Sequence, residues 1–130
     1  MKDNGFNIKI KTDWETGFVI GGNRDNCGTW MDKMGSAASN KGVPATPRDG
    51  APIELVALQY SVLTFLANLN EQGKFAAAGV RQSSFKDWAQ KIKEHFELMF
   101  FIDPYSKDRL VNRHGIYKDV VGATEKFTEF

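Results

Sequence analysis

Between residues 23 and 50 the chain shows neither a helical nor a strand period. Connections in compact domains usually run about 4–6 residues, and irregular stretches several times longer are either functional or disordered. This one lies within residues 21–60, GGNRDNCGTWMDKMGSAASNKGVPATPRDGAPIELVALQY. It sets Arg24, Asp25, Asn26, Trp30, Asp32, Lys33, Arg48, Asp49 and Glu54 among glycines and prolines. A segment so rich in charge and amide groups cannot form a core, so any core must come from its flanks. It runs directly into a strongly apolar helical pattern. Trp30, Met31 and Met34 argue against disorder and read as anchors that fold the loop onto a neighbour. Binding and catalytic groups are often carried on such loops over a rigid scaffold.

The flanks supply two helices. The first is expected over residues 52–70, with Pro52 at the first helical position, Asp49 or Gly50 near the cap, and Gly73 at the stop. Its apolar residues (Ile53, Leu55, Val56, Leu58, Tyr60, Val62, Leu63, Phe65, Leu66, Leu69) cover more than one face, which predicts burial on most sides. The second is expected over residues 85–100. Ser84 and Asp87 resemble a capping box with Asp in place of Glu, and Pro104 forbids continuation. Phe85, Trp88, Ile92, Phe96 and Met99 form its apolar stripe. Elsewhere the signals are weaker. Phe6, Ile8 and Ile10 alternate with polar residues as in a short strand or extended arm. Residues 13–16 look like a turn, 18–20 are a short apolar run, 74–82 a linker, and 105–130 mostly loop. The sum is an all-α or helix-dominated expectation, with a single segment over 1–130 and no internal boundary. Two helices and loops do not close a core alone, so the chain reads as part of something larger.

Composition sets outer bounds. A chain of 130 residues with 42% hydrophobic content can bury one modest core. Its 17 basic and 16 acidic residues nearly cancel, leaving no basic field for nucleic acid. The lone Cys27 excludes an internal disulfide and fits a reducing compartment. No apolar stretch suits a signal peptide or a membrane span. The expectation is a soluble cytosolic protein, or a piece of one, with no membrane or nucleic-acid partner.

For chemistry, Trp30-Met31-Asp32 sets a carboxyl beside an indole. An apolar neighbour disfavours an ionised carboxylate, which suits a general acid at neutral pH, and an indole face stacks on sugar rings. Asp32 is therefore a candidate to protonate a glycosidic oxygen; the alternative is a loop Asp bonding backbone amides. Arg48 and Asp49 read either as site residues or as a structural turn and ion pair. Glu54 reads either as a sugar-hydroxyl ligand or as a helix cap or partner of Arg48. His95, His114 and Cys27 lack the neighbours that metal binding or nucleophilic catalysis needs. The glycines at 21, 22 and 28 are not followed by a P-loop Gly-Lys-Ser/Thr.

Beyond these readings, TWMDKMG, NKGVPATPRDG and the Pro-Ile-Glu-Leu helix start, in that order, resemble the C-terminal glucosidase region of eukaryotic glycogen debranching enzymes. The similarity resumes in SFKDWAQKIKEHFELMFF and LVNRHGIYKDVVGA, so it spans roughly residues 17–123. It implies a partial (α/α)6 toroid (a six-hairpin glycosidase fold) with a long N-terminal active-site loop. It also implies a large cytosolic parent that combines a 4-α-glucanotransferase with an amylo-α-1,6-glucosidase in glycogen breakdown. Under it Asp32 is the catalytic general acid of an inverting hydrolysis. Trp30, Arg48 and Glu54, and less directly Arg24, Asn26, Lys33 and Asp49, contact the sugar. The expected partners are glycogen or a limit dextrin and the rest of the debranching chain. No metal or cofactor is implied, because two carboxylates suffice. The second carboxylate is expected outside this chain, so the isolated chain is expected to be inactive. The alternative is a non-catalytic α-glucan-binding relic.

Overall fold

The computed structural model describes residues 8–26, 28–81 and 83–130. The first apolar position of the expected N-terminal arm, Phe6, and the lone Cys27 lie outside the described residues. In chain order the elements are β1 (Lys11–Thr12), β2 (Val19–Ile20), β3 (Ala51–Pro52), α1 (Ile53–Glu71), β4 (Gly79–Val80), β5 (Ser83–Ser84), α2 (Phe85–Phe100), β6 (Val120–Val121) and a 3-10 turn, Lys126–Glu129. The strands form three antiparallel pairs, β1–β2, β3–β6 and β4–β5.

The all-α, toroidal expectation is overturned: this is a small α+β arrangement of two helices and short antiparallel strands. The reason lies in the connectors. Their Gly, Pro and Asx content disfavours helix, yet their backbone amides still need partners. They find them in each other. Ala51 and Pro52 pair with Val121 and Val120. Lys11 and Thr12 pair with Ile20 and Val19 across the turn at residues 13–16. In that turn Asp13 accepts from the amide of Glu15 and the hydroxyl of Thr16.

Both helices form close to where their sequence pattern places them. In α2, the Ser84 hydroxyl accepts from the amide of Asp87 at 3.0 Å and donates to its carboxylate at 2.7 Å. The cap is thus built from one side-chain pair rather than by a reach back to the cap amide. In α1, Pro52 is the cap rather than the first helical residue, and supplies no side-chain acceptor. The Ile53 amide is taken instead by the Asp119 carbonyl at 2.9 Å, so the tail, not Asp49 or Gly50, closes this end. At the other end Gly73 (φ +68) allows a Schellman closure, with Gly73 N donating to Asn70 O and Lys74 N to Leu69 O.

The core joins the two helices to β2 and β3. Phe18, Ala51, Val56, Leu63, Phe85, Ala89, Ile92 and Phe100 are buried together. The Phe18 and Phe100 rings meet at 5.5 Å. Gln59 of α1 clamps β2, accepting from Val19 N at 2.8 Å and donating to Gly17 O at 3.1 Å. The expected burial of α1 on most sides does not occur within this chain. Val56 and Leu63 are buried, whereas Leu58, Val62 and Phe65 are more than half exposed.

Candidate active site

The 23–50 stretch is folded by its own backbone. At its base Gly21 and Gly50 exchange amide hydrogen bonds of 3.0 and 2.9 Å. Gly50 sits at φ +97, and a Cβ there would lie 2.5 Å from the Val121 carbonyl oxygen, so this position admits only glycine. Higher up, Met34 faces Pro44, Gly35 N donates to Val43 O at 2.8 Å, and Ala45 N donates to Lys33 O at 3.0 Å. The stretch is therefore a two-armed excursion whose arms pair near the tip.

Asp32 stands where the arms meet. Its side chain is buried, with 6% exposure for the residue. Oδ1 accepts from the amide of Lys33 at 2.7 Å and from the amide of Thr46 on the opposite arm at 3.0 Å, with the Thr46 hydroxyl at 3.5 Å. Oδ2 is buried and has no partner among the described residues. Two neighbours share this condition. Asn26 uses Oδ1 on the Asn23 amide and leaves Nδ2 buried without a partner. Asp49 uses Oδ2 on the amide and hydroxyl of Thr124 and leaves Oδ1 without one. Among the described residues, every buried side-chain polar atom lacking a partner belongs to this one loop. Buried polar groups are almost always paired, so three unpaired atoms within one loop single it out as a candidate site.

Arg48 and Glu54 lie at the foot of the same excursion and hold each other. Arg48 Nε and Nη2 donate to the two Glu54 oxygens at 3.2 and 2.6 Å. Arg48 also reaches the Asp119 carbonyl at 3.1 Å and its carboxylate at 3.3 Å. The pair is well shielded, with 7% and 16% side-chain exposure. Burial opposes ionisation of Glu54. Hydrogen bonds from Arg48, from its own amide and from Thr29 outweigh that and hold the carboxyl below its ordinary 4.5.

The other sequence candidates are placed differently. Trp30 is 75% exposed, and Met31 and Met34 are also exposed, so the expected anchoring of the loop by these three does not occur within this chain. Their indole and thioether faces stand open to solvent instead. Lys33 is exposed and contributes its amide to Asp32. Arg24 forms an exposed ion pair with Glu125 at 3.2 Å. Glu129 is consumed by Lys118, Lys126 and the Gly122 amide. No cluster of metal-ligating side chains occurs among the described residues. Sequence reasoning missed Thr46, Asp119, Thr124 and Thr29, which hold the site together. Only long-range pairing reveals them, and no local motif carries that signal.

Comparison with known proteins places the chain in a family. Residues 1–130 match the profile of the amylo-alpha-1,6-glucosidase family. The chain is 38% identical over 146 aligned residues to the glycogen debranching enzyme of Saccharomyces cerevisiae. That alignment covers 100% of this chain and 10% of the yeast protein, so the chain spans about a tenth of the length of this relative. No helix among the described residues is long and apolar enough to cross a membrane. On the family match and the identity together, the chain belongs to the amylo-alpha-1,6-glucosidase family.

Proposed function

We propose that this chain supplies the acid-bearing part of an α-1,6-glucosidase that acts on branched α-glucans such as glycogen, within a larger cytoplasmic debranching enzyme. Asp32 is the general acid. The observation that carries the reading is the state of its carboxyl group: Oδ1 is pinned by two amides, while Oδ2 is buried and unpaired. A group so held presents one oxygen in a fixed direction and meets no competing donor there among the described residues. It gives its proton to the glycosidic oxygen as the bond to the anomeric carbon breaks. Water attacks that carbon from the opposite face, and a second carboxylate takes the water's proton; in inverting glycosidases the two carboxyls stand about 6.5–9.5 Å apart. That base is assigned to another part of the parent, since Glu125 and Glu129 are both tied into ion pairs.

In this reading Trp30 offers its open ring face to a glucosyl unit, and Asn26, Asp49 and Lys33 offer polar groups to its hydroxyls. Arg48 and Glu54 act through each other by fixing the foot of the loop. The exposed Leu58, Val62 and Phe65 pack against the remainder of the parent chain. The test joins residues 1–130 to the remainder of a debranching enzyme and measures glucose released from a limit dextrin, with Asp32→Asn alongside. Activity in the joined protein that the substitution abolishes is the expected result. Undiminished release by Asp32→Asn removes Asp32 from the role of acid. Release by the 130-residue chain alone would show that the base lies within it.

A further inference from the structure

Outside the acid loop, the turn at residues 13–16, the β4–β5 hairpin and the first turns of α2 enclose a cleft of about 500 Å³. Trp14, Arg81, Ser83, Asp87, Trp88 and Lys91 line it. The two indoles meet at 4.8 Å with planes tilted by 43°. The Trp88 ring is fixed from behind, its Nε1 donating to Gly17 O at 2.7 Å, and Lys91 Nζ holds the main chain of Trp14 by donating to its carbonyl at 2.9 Å. The Trp88 half of this aromatic wall is therefore held in place, and Trp14 packs against it.

Arg81 is the unusual member. It occupies the hairpin turn at φ +53, where Gly or Asn is the ordinary choice. The strained position carries its guanidinium over the Trp14 ring, 5.8 Å from the centroid. It has no ion pair among the described residues, and backbone strain of this kind gathers at ligand clamps. Asp87 spends one oxygen on the Ser84 hydroxyl. Its other oxygen has no hydrogen bond among the described residues.

The lining selects the ligand. Two cations and one carboxylate give donors and acceptors in both senses, which suits a neutral polyhydroxyl compound. A polyanion would meet Asp87, and an apolar peptide would strand Arg81 and Asp87 without partners. Rigid indole faces beside such groups match the C–H face and hydroxyl rim of a sugar ring. We infer that this cleft is a second, non-catalytic binding site for glucosyl units of an α-glucan. The inference rests on the proposed glucan substrate and deepens it. A separate hold on the polymer raises the local concentration of branches at the acid loop.

The test follows the three indole N–H resonances of the 130-residue chain during titration with maltoheptaose. Saturable shifts of the Trp14 and Trp88 resonances are expected. Trp14→Ala should weaken that binding about tenfold, the scale of losing a buried aromatic contact. Arg81→Gly should weaken it several-fold while keeping the fold, because glycine relieves the positive φ. Asp32→Asn should leave it unchanged. Unmoved Trp14 and Trp88 resonances overturn the inference, as does wild-type affinity in both Trp14→Ala and Arg81→Gly. Shifts confined to Trp30 overturn it too, yet leave the acid loop as a glucan site. Conversely, cleft binding that persists while Asp32→Asn leaves hydrolysis intact removes the acid assignment alone.

Discussion

At Asp32 the two carboxyl oxygens have different surroundings, and a substitution can divide them. Asp32→Asn keeps an oxygen to accept from the Lys33 and Thr46 amides and loses only the proton-donating group. Positioned general acids contribute about 10²–10⁴-fold, so glucose release by the joined protein should fall by that factor. The melting temperature should stay near that of the wild type, because the amide keeps the oxygen that the Lys33 and Thr46 amides use. A plain loss of folding, seen as a lowered melting temperature, would count against a chemical role. Arg48 should behave in the opposite way. Arg48→Met strands Glu54 in a shielded site, and breaking such a pair costs about 3–5 kcal/mol. Adding Glu54→Leu removes the stranded charge, so urea denaturation of the double variant should show much of that loss restored. Residue identities alone left Glu54 open between a sugar ligand and a partner of Arg48, because both uses need the same carboxylate. The Asp119 contact that completes the clamp comes from 71 residues away, beyond the reach of any local pattern.

Among the elements, the C-terminal segment is the one that closes the site. β6 pairs with β3, Asp119 caps α1 and engages Arg48, and Thr124 holds Asp49. This segment is locked by Glu129, whose carboxyl is opposed by burial but drawn below its ordinary 4.5 by Lys126 and Lys118. Glu54 is lowered likewise. Both groups have folded values beneath their unfolded ones, so their stabilisation is fully present above about pH 4.5 and is lost as pH falls through the folded values. Acidification should therefore release this segment early. Hydrogen-exchange protection of residues 119–129 should drop as the pH falls below about 4.5, ahead of protection in α2. Equal loss in both would refute a local lock. Little of this arrangement was legible in the chain. Helix α2 was, because its apolar spacing and its Ser84–Asp87 cap are local. Strands of two residues carry no alternation to read, and Ala51–Val121 pairing is specified only once the helices have brought those segments together.

For the whole molecule, the apolar residues of α1 cover more than one face, yet the burial on most sides that this pattern predicts is not met within this chain. Leu58, Val62 and Phe65 follow one another at spacings of four and three, so they form a single stripe on one side of the helix. They are exposed by 57%, 55% and 59%. A soluble domain rarely leaves such a contiguous stripe to water, because each large side chain forgoes about 1.5–3 kcal/mol of burial. The isolated chain should then cover the stripe by self-association. Sedimentation of the 130-residue chain should show oligomers that grow with concentration. Val62→Lys with Phe65→Glu should shift it toward monomer, because a charge on each partner face must be desolvated to re-form the contact. Since neither side chain belongs to the buried core cluster, the melting temperature should change little. When the chain is joined to the remainder of a debranching enzyme, the same pair should instead lower its stability, because the stripe then has neighbours to lose. Monomeric wild type, or a joined protein indifferent to both substitutions, would show that the stripe faces water by design and is not an interface with the rest of the enzyme.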